Sequence, residues 1–394
     1  MKIDDKTSHN SPSLRFPEFT GEWEKSTIGK EFDLYSGNTP SRLNKEHFKG
    51  KVNWISSGEL KNHYIYSSKE QISEDAAKNL KLLPKGTFVI AIYGLEAEGV
   101  RGTGSITQEP STISQACMAF IPQGDIENEF LYSWYKKHGE VIGVRYAQGT
   151  KQQNLSYDIL EKFKIAYPSI KEQKKLNKFI ALLDERIAVQ SRLIEDLKKF
   201  KCAIVEKLYS EIQGKEYSYR QLFEIINERN SRLEYSNVLS ASQEKGMVNR
   251  EDLNLDIKFE LSNINTYKIV REGDYVIHLR SFQGGFAFSN MVGVCSPAYT
   301  IMRPKKLLEY GYLSYYFTSR KFIKSLIIVT YGIRDGRSIN VDEWLDMKNI
   351  IPSKEQQQHI LRTIRGFENK IEVEEMYASC LSKQKQYLLR QMFI

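Results

Sequence analysis

The sequence has few of the residues that hold metal ions or disulfides. Its four cysteines, Cys117, Cys202, Cys295 and Cys380, are far apart and form no CxxC pair. We therefore expect buried free thiols rather than zinc ligands or a disulfide framework. The six histidines are scattered without i, i+4 pairing. Metal binding and acid–base catalysis by histidine are unsupported.

Catalytic and nucleotide-binding motifs are also missing. No Pro-Pro dipeptide occurs, which excludes the NPPY-like or DPPY-like motif of amino-methyltransferases, and there is no GxxxxGK[ST] loop or G-x-S-x-G elbow. The glycine-rich stretch GVRGTGS (99–105) lacks the spacing of a dinucleotide site, so we interpret it as a turn between strands. We predict that the chain is not an enzyme and binds no cofactor.

Long apolar runs are absent as well. No stretch approaches the roughly 18 to 20 apolar residues of a membrane-spanning helix, and the first ten residues are polar. We expect neither a signal peptide nor a membrane anchor, and a cytoplasmic location. With 394 residues, 41% hydrophobic and 27% charged, the chain is long enough for two or three domains.

The charge balance is positive. A net charge of +8 and a pI near 9.0 attract polyanions such as nucleic acid. Six arginines precede Ile212 and thirteen follow it. Because the planar guanidinium suits bidentate contacts with guanine or phosphate, we expect the two halves to contact a ligand differently.

The two halves nevertheless repeat one another. The matched blocks are LLPKGTFVIAIYG (82–94) with KIVREGDYVIHLRS (268–281), SQACMAFIP (114–122) with SPAYTIMRP (296–304), and LYSWYKK (131–137) with LSYYFTS (313–319). The first two pairs predict strands and the third a short aromatic helix. Blocks in one order at so long a period indicate duplication of a whole domain and its following helix.

Each copy ends in a predicted long helix. Ser169 lies three residues before Glu172, and Ser353 three before Gln356, which is the spacing of a capping box. An apolar heptad seam follows each start. The first seam is interrupted by Gln190 and Lys201, and the second by Glu374 and Lys385.

A seam this narrow is too small to anchor a long helix on its own domain. We therefore expect the two helices to pair, and a globular domain between them favours an antiparallel pair. The alternative is that each helix packs separately on its own domain.

Two classes of loop are candidate nucleic-acid contacts. One carries cations and amides before each long helix, and the other follows an apolar strand. The first class comprises Gly149, Thr150, Lys151, Gln152 and Gln153, with Tyr331, Arg334, Arg337 and Ser338 in the second copy. The second comprises Ser56, Ser57 and Gly58, with Ser240, Ser242 and Gln243. Tyr93, Arg101 and Thr103, with Arg280 and Gln283, complete the predicted set.

Lysine and arginine neutralise phosphates, and arginine and amides read base edges. The structural alternatives are a solvated turn for the first class and ordinary hairpin ends for the second.

The whole pattern resembles the DNA-specificity subunits of type I restriction-modification enzymes. The resemblance covers nearly the whole chain and rests on LRFPEFTGEWEKSTIG (14–29), LPKGTFVIAI (83–92), GTKQQNL (149–155) and the repeated helix start. It implies a non-catalytic subunit that binds double-stranded DNA through two target recognition domains, each reading half of a split sequence. Its helices would act as spacer and docking platform for two modification (methyltransferase) subunits. Restriction subunits would join the full complex, and S-adenosylmethionine, ATP and magnesium would bind only to the partner subunits.

The resemblance implies an α+β fold. Two globular target recognition domains in a pseudo-twofold arrangement would be separated by a long antiparallel helix pair, a coiled coil. The predicted segments are 1–168 and 213–352 for the two domains, and 169–212 and 353–394 for the two spacer helices. Because GIRDGRSI (332–339) replaces GTKQQNL in the second copy, the bipartite target should be asymmetric. Because the helices would fix the separation of the two domains, the gap between the half-sites should be fixed as well. The alternative is a coiled-coil adaptor that does not read DNA.

Overall fold

The structure is a computed structural model that describes residues 11–95, 100–147, 153–242, 245–253, 261–278, 285–331 and 338–394. The chain divides into two compact units. Met1–Ser191 and Met376–Ile394 form the first unit, and Arg192–Glu375 forms the second. Each unit takes in half of each long helix, whereas the four sequence segments treat the helices as separate; those segments stay a prediction.

The first unit combines short strands with helices. Its strands are β1 Glu24–Thr27, β2 Phe32–Ser36, β3 Val52–Ile55, β4 Tyr64–Ile65, β5 Glu70–Ile72, β6 Phe88–Ala91, β7 Gly104–Thr107, β8 Ser111–Ile113, β9 Cys117–Pro122 and β10 Lys164–Tyr167. Its helices are α1 Ile28–Glu31, α2 Glu74–Ala77, α3 Asn128–Tyr146, α4 Tyr157–Leu160 and the start of α5 Ile170–Ser210.

The core of the first unit lies around a sheet in the order β2-β9-β6-β7-β4. All four residues of β6 are buried, as expected for an apolar run at the centre of a sheet. A second sheet has the order β5-β3-β8, and β1 pairs with β10. Helix α10 spans Lys354–Met392, and its C-terminal end contributes Leu389 and Met392 to the same core.

The second unit has the following elements. Its strands are β11 Lys215–Ser218, β12 Phe223–Ile226, β13 Leu239–Ser242, β14 Gly246–Asn249, β15 Lys268–Val270, β16 Tyr275–Ile277, β17 Phe286–Phe288, β18 Gly293–Cys295, β19 Thr300–Pro304, β20 Thr330–Tyr331, β21 Ser338–Ile339 and β22 Lys348–Ile351. Its helices are α6 Tyr219–Leu222, α7 Tyr312–Tyr316, α8 Arg320–Ser325, α9 Val341–Asp346 and the start of α10.

The pairing of strands confirms that the matched sequence blocks are equivalent. The second unit has a sheet in the order β12-β19-β16-β17, which repeats β2-β9-β6-β7. Tyr275 lies opposite Met302 just as Phe88 lies opposite Phe120. The turns before β6 and β16 each need a residue in the left-handed conformation. Gly86 and Gly273 occupy these positions with φ of +85° and +89°. Likewise β11 pairs with β22 as β1 pairs with β10.

The long helices run antiparallel within each unit. In the first unit, Asp184 contacts Lys385 and Arg186 contacts Tyr377. In the second, Lys198 and Lys201 contact Glu375 and Glu368 at 2.6 and 3.1 Å. The partner residue number falls as the α5 number rises, which defines the direction. The mixed α+β class and the paired long helices are confirmed; the pseudo-twofold arrangement of the units stays a prediction.

The helix starts differ from the capping-box prediction. The Glu172 carboxylate does not close a box with Ser169, because Arg15 binds it through two hydrogen bonds of 2.7 and 2.6 Å. At the second start, Ser353 Oγ accepts a long bond of 3.4 Å from Gln356 N. Only the serine half of the box is therefore present there.

The aromatic block also folds differently in the two units. In the first unit it belongs to α3, which has 19 residues, whereas in the second it forms α7, which has 5. The hydroxyl of Ser319 accepts a hydrogen bond from Phe322 N at 3.2 Å and starts the separate helix α8. A serine that favours an N-cap therefore divides the second copy into two helices.

Two of the four thiols contradict the expectation of burial. Cys117 and Cys295 are buried, but Cys202 and Cys380 are exposed because they lie on outward positions of the long helices. Among the helices in the described ranges, none is long and apolar enough to cross a membrane.

Candidate nucleic-acid interface

Several loops of the first unit meet along one line of backbone hydrogen bonds. Ser114 N donates to Ile55 O at 2.9 Å, next to the loop that starts at Ser56. Ile92 N donates to Ala116 O, and Ile92 O accepts from Leu155 N, both at 2.9 Å. The ends of three strands and the segment after residue 152 therefore lie side by side.

The predicted residues Arg101 and Gln153 are brought together by this arrangement. The Arg101 guanidinium donates to Gln153 Oε1 at 2.9 Å. Its aliphatic stem lies against α3, where a Cβ added at Gly143 would approach Arg101 Cγ to 2.5 Å. Among the described residues, Arg101 Nε is buried without a hydrogen-bond partner. The buried Nε is out of reach of a ligand, so a contact with a base or phosphate would use the terminal nitrogens of the guanidinium.

Tyr93 and Thr103 lie on either side of this pair. Tyr93 forms an isolated bridge with Asn154 and keeps 39% of its surface exposed. Thr103 Oγ1 donates to Val100 O at 2.6 Å and so closes the turn that carries Arg101. Tyr93 is thus available for contact, whereas Thr103 shapes the turn.

The loop after β3 has a structural task of its own. Ser57–Glu59 form a 3₁₀ turn, in which Ser56 N and Oγ bond Glu59 Oε2 at 2.9 and 2.6 Å. No Cβ built at Gly58 would meet another atom within 4 Å, so the tip is open. A phosphate at Ser56 would have to displace a carboxylate, while Ser57 and Gly58 face no such competitor.

Sequence reasoning missed a neighbouring polar group. Asn38 N donates to Ile113 O at 3.1 Å, and Asn38 O accepts from Trp54 Nε1 at 3.0 Å. Thr39 Oγ1 contacts Gln115 Oε1. The turn-forming letters GNTPS (37–41) were the available signal, but only tertiary contacts place them beside the Ser56 loop.

The second unit presents a hairpin of different chemistry. Tyr331 on β20 lies directly opposite Ser338 on β21. The Tyr331 hydroxyl donates to Glu343 Oε2 at 2.7 Å, and the residue is 54% exposed. The predicted Tyr331 and Ser338 are therefore neighbours at the base of one loop.

Ser240 and Ser242 lie on β13, which pairs with β14. The sequence predicted a strand that breaks at these serines, but the strand continues to Ser242, which lies opposite Gly246 at the start of β14. Ser242 Oγ accepts from Lys245 N at 3.3 Å. Val238, just before β13, also bridges Val294 of β18 in parallel, as β3 pairs in parallel with β8. The two units differ in the connection that follows, because residues 56–69 separate β3 from β5 whereas only residues 243–245 separate β13 from β14.

Nine predicted residues lie outside the described residues. They are Gly149, Thr150, Lys151, Gln152, Gln243, Arg280, Gln283, Arg334 and Arg337.

The described residues of the candidate interface carry polar groups that suit nucleic-acid recognition. In the described ranges, no group of three or more His, Cys, Asp or Glu is placed to hold a metal ion. Burial raises the pKa of the Cys117 thiol to about 12, so this thiol stays protonated and unreactive at neutral pH. Arginine, amide and hydroxyl groups remain, and these could bind phosphates and base edges.

Comparison with known families gives a match for most of the first unit. Residues 20–199 match the family model described as the Type I restriction modification DNA specificity domain. These residues are thus similar to the specificity domains that the model describes. The matched residues take in every described strand from β1 to β10 and most of α5.

Two curated relatives extend the comparison. The MjaVIII specificity subunit of a type I restriction enzyme from Methanocaldococcus jannaschii is 23% identical over 409 residues, covering 95% of this chain and 92% of the relative. The MjaIX specificity subunit from the same organism is 29% identical over 184 residues, or 45% of this chain. That match spans only 41% of the MjaIX chain. The resemblance to specificity subunits is confirmed.

A solved structure shares the fold. It is described as the structural basis of complex assembly and conformational transition of the type I R-M system. The match has a TM-score of 0.63 at 13% identity and covers 94% of this chain and 97% of that one. At this identity the likeness concerns the fold alone.

Proposed function

We propose that the chain is the sequence-specific DNA-binding subunit of a type I restriction-modification complex. It would read a bipartite, asymmetric target with a fixed gap, and direct adenine methylation or restriction by partner subunits. The observation that carries the proposal is a specificity domain whose strand order and register recur in the second unit.

Asymmetry of the target follows from unlike contact groups. The first unit offers Arg101, Gln153 and Tyr93 around a three-stranded sheet, and the second offers the β13-β14 and β20-β21 hairpins. Unlike groups read unlike bases, so the half-sites should differ. The predicted loop residues that the structure does not describe belong to the same proposal.

The partners and cofactors follow from the division of labour among type I subunits. Two modification subunits would dock on the long helices, and restriction subunits would join in the full complex. S-adenosylmethionine, ATP and magnesium would bind to those partners, and this chain would contribute recognition without catalysis. The complex would work in the cytoplasm, where its DNA is found.

The test is a single-molecule methylome of the host with the chain intact and deleted. We expect deletion to remove one split, asymmetric adenine-methylation motif, and that motif is the target. If no motif changes while the modification subunit is expressed, the chain does not specify methylation in this cell, and the proposal fails.

The competing proposal is a coiled-coil adaptor that does not read DNA. Salt titration separates the two. A protein that neutralises several phosphates loses affinity steeply as salt rises, because bound counterions are released. We expect such a slope for the full chain on its target duplex, and an adaptor would show neither the slope nor a preference for the target.

A further inference from the structure

The polar interruptions of the two helix seams form matched ion pairs. Lys385 of α10 binds Asp184 of α5 in the first unit, and Lys201 of α5 binds Glu368 of α10 at 3.1 Å in the second. Both the lysines and the acids are 184 residues apart in sequence. Each unit therefore contains one copy of the same acid–lysine pair between the long helices.

In the first unit, a histidine joins this pair to the specificity domain. His63 Nε2 lies 2.9 Å from Glu129 Oε2 on α3, and Nδ1 lies 3.2 Å from Asp184 Oδ2. The second contact is an ion pair without hydrogen-bond alignment. Tyr64 and Tyr132 stack on the two faces of the imidazole, with ring centroids 4.0 Å away on each side.

In the second unit, a tyrosine stands at the corresponding place. The Tyr315 hydroxyl on α7 donates to Glu368 Oε2 at 2.6 Å. Burial and the Glu368 carboxylate raise the pKa of Tyr315 above its ordinary value, so this hydroxyl keeps its proton across the physiological range. The two units thus hold the same acid–lysine pair with a titratable group in one and a permanent donor in the other.

The surroundings of His63 favour its charged form. A neutral imidazole has one N–H, so it can serve only one of the two carboxylates. Burial lowers the pKa of His63, but Asp184 and Glu129 outweigh that effect and hold it above the ordinary value of 6.5. The charged contact therefore stabilises the first unit fully below about pH 6.5, and its contribution is lost as pH rises through the folded-state pKa.

Other titratable groups face the same cluster. Burial and then Lys385 lower the pKa of Lys136, on α3 with Nζ 5.3 Å from the Tyr132 ring, to about 8. Burial and then Glu129 raise the pKa of Tyr64 to about 12. Despite burial, His63 and Lys385 keep the pKa of Asp184 below its ordinary value. Lys136 also changes charge near neutral pH, so a test must separate it from His63.

We propose that His63 is a positioning residue: as an imidazolium it joins α3 of the specificity domain to the helix pair, and makes recognition by the first unit, but not by the second, dependent on pH. The statement about recognition rests on the proposed function. The statement about the joint concerns the protein alone.

The joint is tested first in the full chain without DNA. We expect the NMR titration of His63 to give a pKa above 6.5, the ordinary value, and His63→Gln to speed hydrogen exchange in α3 at about pH 6 but not at about pH 9. The matched variant Tyr315→Phe should speed exchange in α7 equally at both pH values. A His63 that titrates below 6.5, or a His63→Gln effect that does not change with pH, overturns the joint.

Recognition is tested on the target taken from the methylome. The measured quantity is the ratio of affinities for the intact target and for a duplex with one half-site altered. Between about pH 6 and about pH 9 we expect the first half-site ratio of the wild type to fall about tenfold, roughly the loss of one charge-assisted contact. The second half-site ratio should stay constant.

Two variants make this result specific. His63→Gln should give a low first half-site ratio at both pH values, and Lys136→Met should keep the pH-dependent fall. A first half-site ratio that falls equally in His63→Gln overturns the inference while the proposed function stands. If the full chain prefers no duplex at any pH, the proposed function fails together with the statement about recognition, and the His63 titration alone judges the joint.

Discussion

Two glutamines show how single residues connect the helix starts to their domains. Gln173 and Gln357 are both fully buried. Each donates two hydrogen bonds from its amide nitrogen to main-chain carbonyls and accepts one from a main-chain amide. The partners are Asp125 O (2.8 Å), Pro168 O (2.9 Å) and Glu127 N (3.0 Å) for Gln173, and Leu307 O (2.9 Å), Pro352 O (3.1 Å) and Glu309 N (2.8 Å) for Gln357.

The repeated helix start therefore has a second physical reason. The proline ends the preceding strand, and the glutamine five residues later connects that turn to the segment entering α3 or α7. This amide attaches the start of each long helix to its unit, whereas the predicted capping box is complete at neither start.

Replacing one of these glutamines should destabilise its own unit. Gln173→Leu leaves three main-chain groups of the first unit without partners, which should cost about 3 kcal/mol of local stability. Hydrogen exchange resolved by unit measures this, because two units need not unfold together. The control is Gln356, an exposed residue next to the buried Gln357. Gln356→Leu should change the stability of the second unit by less than about 0.5 kcal/mol. Equal small effects would contradict the role assigned to Gln173.

Arg101 allows a second test on a single residue. Its guanidinium is held by Gln153 at the candidate interface, so Arg101→Ala should weaken discrimination at the first half-site by about 1 to 3 kcal/mol. Arg334→Ala with Arg337→Ala should affect only the second half-site. The exposed Arg192 on α5 is the control for loss of one positive charge. Competition between altered duplexes measures the effect, and equal losses at both half-sites would argue against separate reading units.

The long helices combine the two arrangements considered for them, pairing with each other and packing on the domains. Leu176 and Ile180 of α5 belong to the core of the first unit, and Val205 and Tyr209 belong to the core of the second. Between these ends the helices meet in narrow contacts. One is the edge-to-face pair of Phe200 on α5 and Phe367 on α10, whose ring centroids are 5.5 Å apart. The helices therefore pair with each other and also pack on domains at their ends.

Exchanging the two charges of an ion pair between the long helices should preserve its attraction. Lys201 and Glu368 keep 28% and 38% of their side-chain surface exposed. Solvent screens such a pair, so a double-mutant cycle of Lys201→Glu with Glu368→Lys should give a coupling of about 0.5 to 1 kcal/mol. The more exposed Lys198–Glu375 pair should give less. Urea unfolding of the second unit measures both cycles, and zero coupling for Lys201 would show that the contact has no energetic role.

The whole molecule is a duplication in which scaffold and contact surfaces have diverged unequally. The order β2-β9-β6-β7 recurs strand for strand, whereas the connections after β3 and after β13 differ in length. Under the proposed function, a shared scaffold with different contact residues would give one spacing and two reading specificities.

A matched insertion tests the proposed spacer. Seven residues added after Ser191 and seven after Glu375, at the boundary of the two units, keep the heptad seam in both helices. They lengthen each helix by about 10 Å, which is about three base pairs. We expect the methylated motif to keep both half-sites and to gain about three base pairs in its gap. The control is the same insertion after Glu109, an exposed loop; a folded variant with an unchanged gap would refute the spacer.

The sequence by itself determined the features that depend on local pattern. Block order revealed the duplication, apolar runs located β6 and β16 with their partners, and heptad spacing predicted both long helices. The resemblance to specificity subunits rested on the same blocks. The sequence shows these features because they depend on a few neighbouring residues. Strands and helices have short periods, and glycine and proline act locally in turns.

Only the tertiary structure decided what each polar side chain does. In the folded chain, Glu172 binds Arg15 instead of closing a capping box, and Gln173 and Gln357 are buried. Arg101 bonds Gln153, and His63 lies between two carboxylates. It also divided the second aromatic block into α7 and α8. Each outcome depends on groups far apart in the chain, and burial and hydrogen-bond partners are properties of the folded neighbourhood.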